Sequence, residues 1–188
     1  MFLLNNFFSI INRINNCYVC VMLKNNFSSK IFDLPQYKLS SLNLNEIKRA
    51  CVKILDVKDL GKLNDRFEGQ QFLENKIKLI GGHLAALDFL KEKTIPITHE
   101  FIKNYKPIIK TVSETYVVVS FANNSYPIIR ITDFKKPRIF VMEINDCKFC
   151  VFGIGTTEIL NNKLNYDLTS SNNLVFKALD KLTIQHNI

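Results

Sequence analysis

The chain has 188 residues, 47% of them hydrophobic, with 25 basic against 17 acidic side chains and a formal net charge of +8. That length suits one ordinary domain with a real core rather than two, and Asn, Lys or Asp interrupts every apolar run, so a membrane-spanning helix has no support. The bias toward Asn, Lys, Ile and Phe, with no Trp, has the character of an AT-rich genome, which lowers the weight that basic charge alone carries.

Residues 1–32 stand apart. They hold Arg13, Lys24 and Lys30 and no acid. Wound as a helix, they put Leu3, Phe7, Ile10 and Ile14 on one face and Asn5, Ser9, Asn12, Arg13 and Asn16 opposite, as in an amphipathic targeting helix. Asn5, Asn6 and Asn12 break the apolar core that a secretory signal needs. We therefore expect a mitochondrial presequence over 1–32, a matrix or matrix-facing destination, and one α+β domain over 33–188. A plastid-type presequence shares this composition, and a first helix of the mature fold is the alternative. Cleavage after residue 30 leaves 22 basic and 17 acidic residues, a net +5, which is basic without the dense clustering of a dedicated nucleic-acid binder. Of the five cysteines, Cys17 and Cys20 would leave with the leader, and an odd three in a reducing matrix do not make a disulfide framework.

In DLPQYKLS, Pro35 bars helix and predicts an extended lead-in. Ser41 or Asn43 then caps a helix to about residue 57, with Leu44, Ile47, Cys51, Ile54 and Leu55 as its apolar stripe; Gly61 ends it and GKLND reads as a loop. The longest helical pattern runs from Arg66 to about Lys93, with Leu73, Ile77, Ile80, Leu84 and Leu87 along one seam. Gly81 and Gly82, each followed four residues later by alanine, favour a close helix crossing over a break, at about 1 kcal/mol per glycine relative to alanine. Thr98 caps a third helix, THEFIKNYKPIIKTVSE, in which Pro107 marks a kink or the real start.

After Glu114 the period turns alternating, and TYVVVSFA, YPIIRITDF, PRIFVMEI and CKFCVFGIG read as four strands. Loops as short as NNS, KK and ND predict antiparallel neighbours, hence a meander. LVFKALDKL reads as a short helix capped by Ser170 or Ser171. The expected fold is α+β: three N-terminal helices, a four-stranded antiparallel β-meander and a C-terminal helix.

The Cys147-x-x-Cys150 pair reads as packing. With Asn145 and Asp146 as a two-residue turn, Glu143 faces Lys148 and Val141 faces Cys150, and the charge pair supports that register. Three apart on a strand, the two cysteines then point to opposite faces and cannot share a metal, and no second pair in the domain completes a zinc site. In this register Ile139, Val141, Cys150 and Phe152 collect on one face, and Phe140, Met142, Ile144, Cys147, Phe149 and Val151 on the other. Both faces are apolar. Helices cover one, which leaves the Ile139, Val141, Cys150 and Phe152 face for a second layer or a partner.

His83, His99 and His186 share no metal-ligand spacing. His99 with Glu100 reads as a solvated first turn, and His83, beside the two glycines, could line a cleft. GIG at 153–155 lacks the third glycine of a dinucleotide loop, and no Walker lysine, nucleophile elbow or H-E-x-x-H occurs, so no catalytic, cofactor-binding or metal-ligating set emerges. DFKKPR at 133–138 is the sharpest basic cluster. Arg130, Lys135, Lys136 and Arg138, with Tyr126 and Phe134, could meet phosphates and stack a base, against the plainer reading of a charged hairpin tip guarding a sheet edge. The leading expectation is a non-catalytic accessory subunit or assembly factor of a mitochondrial complex, with protein subunits as partners. RNA association through the basic hairpin is the second, and a small enzyme with a pocket near His83 the third.

Overall fold

The computed structural model describes residues 33–184 apart from 66, 124, 131–133, 146 and 171–172, and residues 168–170 by backbone only. The leader reading of 1–32, with Cys17 and Cys20, falls outside these residues, as do His186 and the Ser171 cap.

An edge strand β1 (Gln36–Lys38) leads into helix α1 (Ser41–Ile54). Its cap is Ser40, one residue before the expected Ser41, with the hydroxyl accepting from Asn43 N at 3.1 Å; this satisfies one of the first-turn donors that a helix leaves open. GKLND is not a loop: Gly61 lies inside a short helix α2 (Leu60–Asn64), because Asp59 caps it by accepting from Lys62 N at 2.9 Å. Helix α3 (Phe67–Phe89) runs unbroken through Gly81 and Gly82, so there is no break, and the close neighbour is the sheet rather than another helix. A Cβ on Gly81 would stand 2.1 Å from Phe149 Cζ, and one on Gly82 2.1 Å from Ser120 Oγ, which shows how near the helix axis comes to the sheet.

The third helix is far shorter than expected. Thr98 caps it as read, but α4 spans only His99–Lys103. Pro107 has no N–H to offer and forces Lys106 toward extended backbone, so the residues after it form strand β2 (Ile108–Lys110). Then come β3 (Thr115–Ala122), β4 (Ile128–Arg130), β5 (Arg138–Asn145), β6 (Lys148–Gly155), helix α5 (Thr157–Asn161), β7 (Tyr166–Ser170) and β8 (Asn173–Phe176). LVFKALDKL is strand β8 and a single helical turn at Leu179–Lys181, not a helix.

The fold is α+β, but the meander is replaced by two sheets. The larger has the order β1-β6-β5-β3-β2 and the smaller β4-β8-β7. Strand β4 leaves the main sheet to pair with β8, so β3 and β5 become direct neighbours and run parallel, Val118 opposite Ile139. Among the described residues all other strand pairings are antiparallel. Helices α1, α3 and α4 cover one face of the large sheet; Ile47, Cys51, Ile80, Leu84 and Ile102 pack there with Val118, Ile139, Val141, Phe149 and Val151. The residues Pro35–Ile188 form one compact unit. Among the described residues no helix is long and apolar enough to cross a membrane.

Candidate functional site

The β5–β6 hairpin decides what the sheet can present. Its register is not the expected one: Glu143 lies opposite Phe149, Met142 opposite Cys150, Val141 opposite Val151 and, past a bulge, Phe140 opposite Gly153. The turn is centred one residue later, because Cys147 itself takes the left-handed conformation, φ 65°. A slip of one exchanges the faces of a whole strand. Ile139 and Val141 therefore share the helix-side core with Phe149 and Val151, whereas Phe152 packs on Phe121, ring centroids 5.7 Å apart, on the far side.

That far side is occupied by the chain itself. Phe140 stacks on Phe176 of β8 at 4.7 Å, Tyr166 meets Phe176 edge-on at 5.4 Å, and a Cβ on Gly155 would meet Phe140, Leu160 and Leu182 within 3.3 Å. Ile139, Val141, Cys150 and Phe152 are all buried. In this fold they form two interiors rather than one partner-facing surface, because the small sheet and the C-terminal turn are the second layer.

Cys150 is fully buried, which pushes its thiol up to about 12; Cys51, inside the helix layer, is held at about 11 by the same burial, with Lys76 pulling the other way. Cys147, half-exposed, helps line a surface groove of about 390 Å³ with Lys38, Leu39, Ser40, Ser41 and Leu44. We expect a water-soluble alkylating reagent to label Cys147 in the native protein, and Cys51 and Cys150 only on unfolding, as peptide mapping over time would show. Early labelling of Cys150 would contradict its place under the second layer. Among the described residues no group of three or more His, Cys, Asp and Glu gathers as a metal site.

The basic connection is only partly outward. Arg130 and Lys135 are exposed and Lys136 half-buried, but Arg138 is 7% exposed. Phe134 packs against Tyr166 at 5.6 Å, so its ring is engaged within the fold. Sequence spacing groups these residues, but Arg130 lies on a strand of the small sheet and Arg138, buried, on a strand of the large one.

His83 does not line a groove. It is 1% exposed, neither ring nitrogen has a hydrogen-bond partner among the described residues, and its neighbours are Phe101 at 5.8 Å and Tyr105 at 5.5 Å, both edge-on. Burial lowers its pKa to about 4, so the ring is neutral at physiological pH. His99, by contrast, meets Glu100 at 3.3 Å on the outside of α4. A second groove, about 160 Å³, lies between Glu114, Tyr116, Pro137, Ile154, Thr156, Thr157 and Thr183.

One surface feature escaped the sequence reading. At the corner where α2 joins α1 and α3, Phe67 is 79% exposed and Leu55 and Leu60 are each 37% exposed. Phe67 precedes Gly69, whose added Cβ would meet Leu63 O at 2.3 Å, so the tight α2–α3 contact holds the first turn of α3 with Phe67 outward. The signal available was a phenylalanine outside the 73–77–80–84–87 seam.

Compared with known proteins, the chain matches no protein-family model, no curated protein and no solved structure.

Proposed function

We propose that the chain is a non-catalytic accessory subunit or assembly factor of a mitochondrial multiprotein complex. The observation that carries this reading is the exposed apolar corner of Leu55, Leu60 and Phe67. Scattered exposed leucines are ordinary, but a phenylalanine standing almost free, with two more exposed large apolar groups in the same short stretch of chain, is the kind of anchor around which protein interfaces concentrate their energy. The acid-free amphipathic composition of residues 1–32 supports the organelle. The sheet faces lend no support, since both are covered from within the chain.

The test is native recovery of the tagged full-length chain from isolated mitochondria at low salt, with and without nuclease. One defined set of subunits is expected to survive nuclease, and Phe67→Ser is expected to reduce its recovery about tenfold while leaving the fold intact by circular dichroism. Partners lost with nuclease would point instead to RNA association through Arg130, Lys135 and Lys136, with salt-dependent binding. Recovery of the chain alone would overturn both readings.

A further inference from the structure

We propose that the segment from Thr98 to Tyr105 is an acid-released strap, latched across helix α3 by the buried imidazole of His83. Three positions of α3 at intervals of three and four, Lys76, Leu79 and His83, share a face and receive the strap. Lys76 Nζ donates to Ile102 O at 3.1 Å, Tyr105 Oη donates to Leu79 O at 3.1 Å, and the His83 ring sits edge-on to both Phe101 and Tyr105. Phe101 and Tyr105 meet each other at 5.9 Å, which closes a three-ring cluster. Beneath it Ile102 is fully buried against α1 and α3.

A buried imidazole with both nitrogens unbonded is an exception among native polar groups, and here it sets a condition on the strap. A neutral ring tolerates this apolar box. An imidazolium would bring two N–H donors into it with no acceptor, and attraction from the aromatic faces offsets only part of the lost hydration. Lifting the strap lets water reach the ring. The strap is also the helix-layer element best able to leave alone: α4 has five residues, residues 92–98 before it hold no regular structure, and Pro107 follows it. Short elements of this kind open at lower free energy than the sheet that carries them.

The titratable and charged groups on the surrounding elements include Lys76, Lys78 and Glu74 on α3, Glu46, Lys48, Arg49, Cys51 and Lys53 on α1, His99, Glu100, Lys103 and Tyr105 on the strap, and Glu143 on β5. Lys76 is already engaged with the strap, and the His99–Glu100 pair lies on its outer side. Glu143 is raised chiefly by burial, with Lys78 lowering and Glu74 raising it, so its protonation on acidification acts in the opposite direction. With the closed-state imidazole held at about 4 and an ordinary value near 6.5 once open, the closed strap keeps its full advantage above about pH 6.5. It loses about tenfold per unit as pH falls, levelling off near pH 4 after a total of about 300-fold.

The experiment is amide hydrogen exchange on the full chain between about pH 7 and pH 4. It reads Ile102 and Asn104, whose N–H groups bond Thr98 O and Glu100 O at 3.1 and 3.0 Å, against amides of β5. The expected result is lower protection in the strap than in β5 at every pH, with strap protection falling about tenfold per unit below pH 6.5. This slope should vanish in both His83→Leu and His83→Phe and persist in His99→Gln. A flat wild-type profile, a slope retained in both His83 variants, or strap amides as protected as those of β5 would overturn the proposal.

Discussion

Replacing Gly81 by alanine is expected to cost about 2 to 3 kcal/mol, although alanine is the better helix former by about 1 kcal/mol. The new methyl would stand 2.1 Å from Cζ and 2.4 Å from Cε2 of Phe149. That ring is fully buried in the core between α3 and the sheet, where close packing resists its displacement. Gly82→Ala is the contrasting case. Its nearest neighbour is the Ser120 hydroxyl, with Ser120 Cβ at 3.0 Å and Val141 Cβ at 3.8 Å. The Oγ can rotate away, and it forms no hydrogen bond among the described residues, so we expect a loss under about 1 kcal/mol. Denaturant unfolding of the two variants side by side measures the difference. A Gly81→Ala protein as stable as wild type would mean that the helix does not approach Phe149 this closely.

That a close neighbour lay against these glycines was legible because it rests on local information, although the neighbour is the sheet and not the helix that the spacing suggested. Two glycines followed at four-residue spacing by alanines put small side chains on one side of a helix, and only a close neighbour explains such a choice. The caps at Ser40 and Thr98 and the strands β3, β5 and β6 were legible to within a residue or two for the same reason: hydroxyl caps and β-branched runs act where they stand.

What could not be read depended on pairings distant in the chain. Strand β4 looked like the second strand of a meander, but its partner is β8, some 45 residues later, through Ile128 opposite Val175. Nothing within the short NNS and KK connections announces that the strand between them leaves the sheet, and once it does, β3 and β5 must run parallel. The hairpin register failed through a misleading local cue. Glu143 and Lys148 made an attractive charge pair, yet pairing Asn145 with Lys148 aligns Val141 with Val151 and Met142 with Cys150, burying like with like on both faces. Hydrophobic burial over eight residues outweighs one exposed ion pair worth less than about 1 kcal/mol. The corner at Phe67 was missed because exposure of one residue beside a helix start is a property of the α2–α3 contact, not of any periodic pattern.

The second expected large effect tests the layer on the far side of the large sheet, where the sequence left a second layer and a partner both open. Phe140→Ala and Phe176→Ala should each destabilise the isolated protein by about 3 to 5 kcal/mol, since both rings are fully buried and stacked on one another at 4.7 Å with their planes 19° apart. The double variant should lose less than the sum, because the second truncation removes a ring whose partner is already gone; a coupling of about 1 kcal/mol suits such a pair. The comparison discriminates sharply between two architectures. If the far face of the large sheet were completed by another protein, Phe140 would be exposed in the isolated chain and its loss would weaken assembly while sparing stability. With the small sheet as the cover, the loss appears in the unfolding midpoint of the purified chain and needs no partner. The accessory-subunit reading then rests on Phe67 and its neighbours, which makes the two variants complementary: Phe67→Ser should change partners without changing stability, and Phe176→Ala should change stability first.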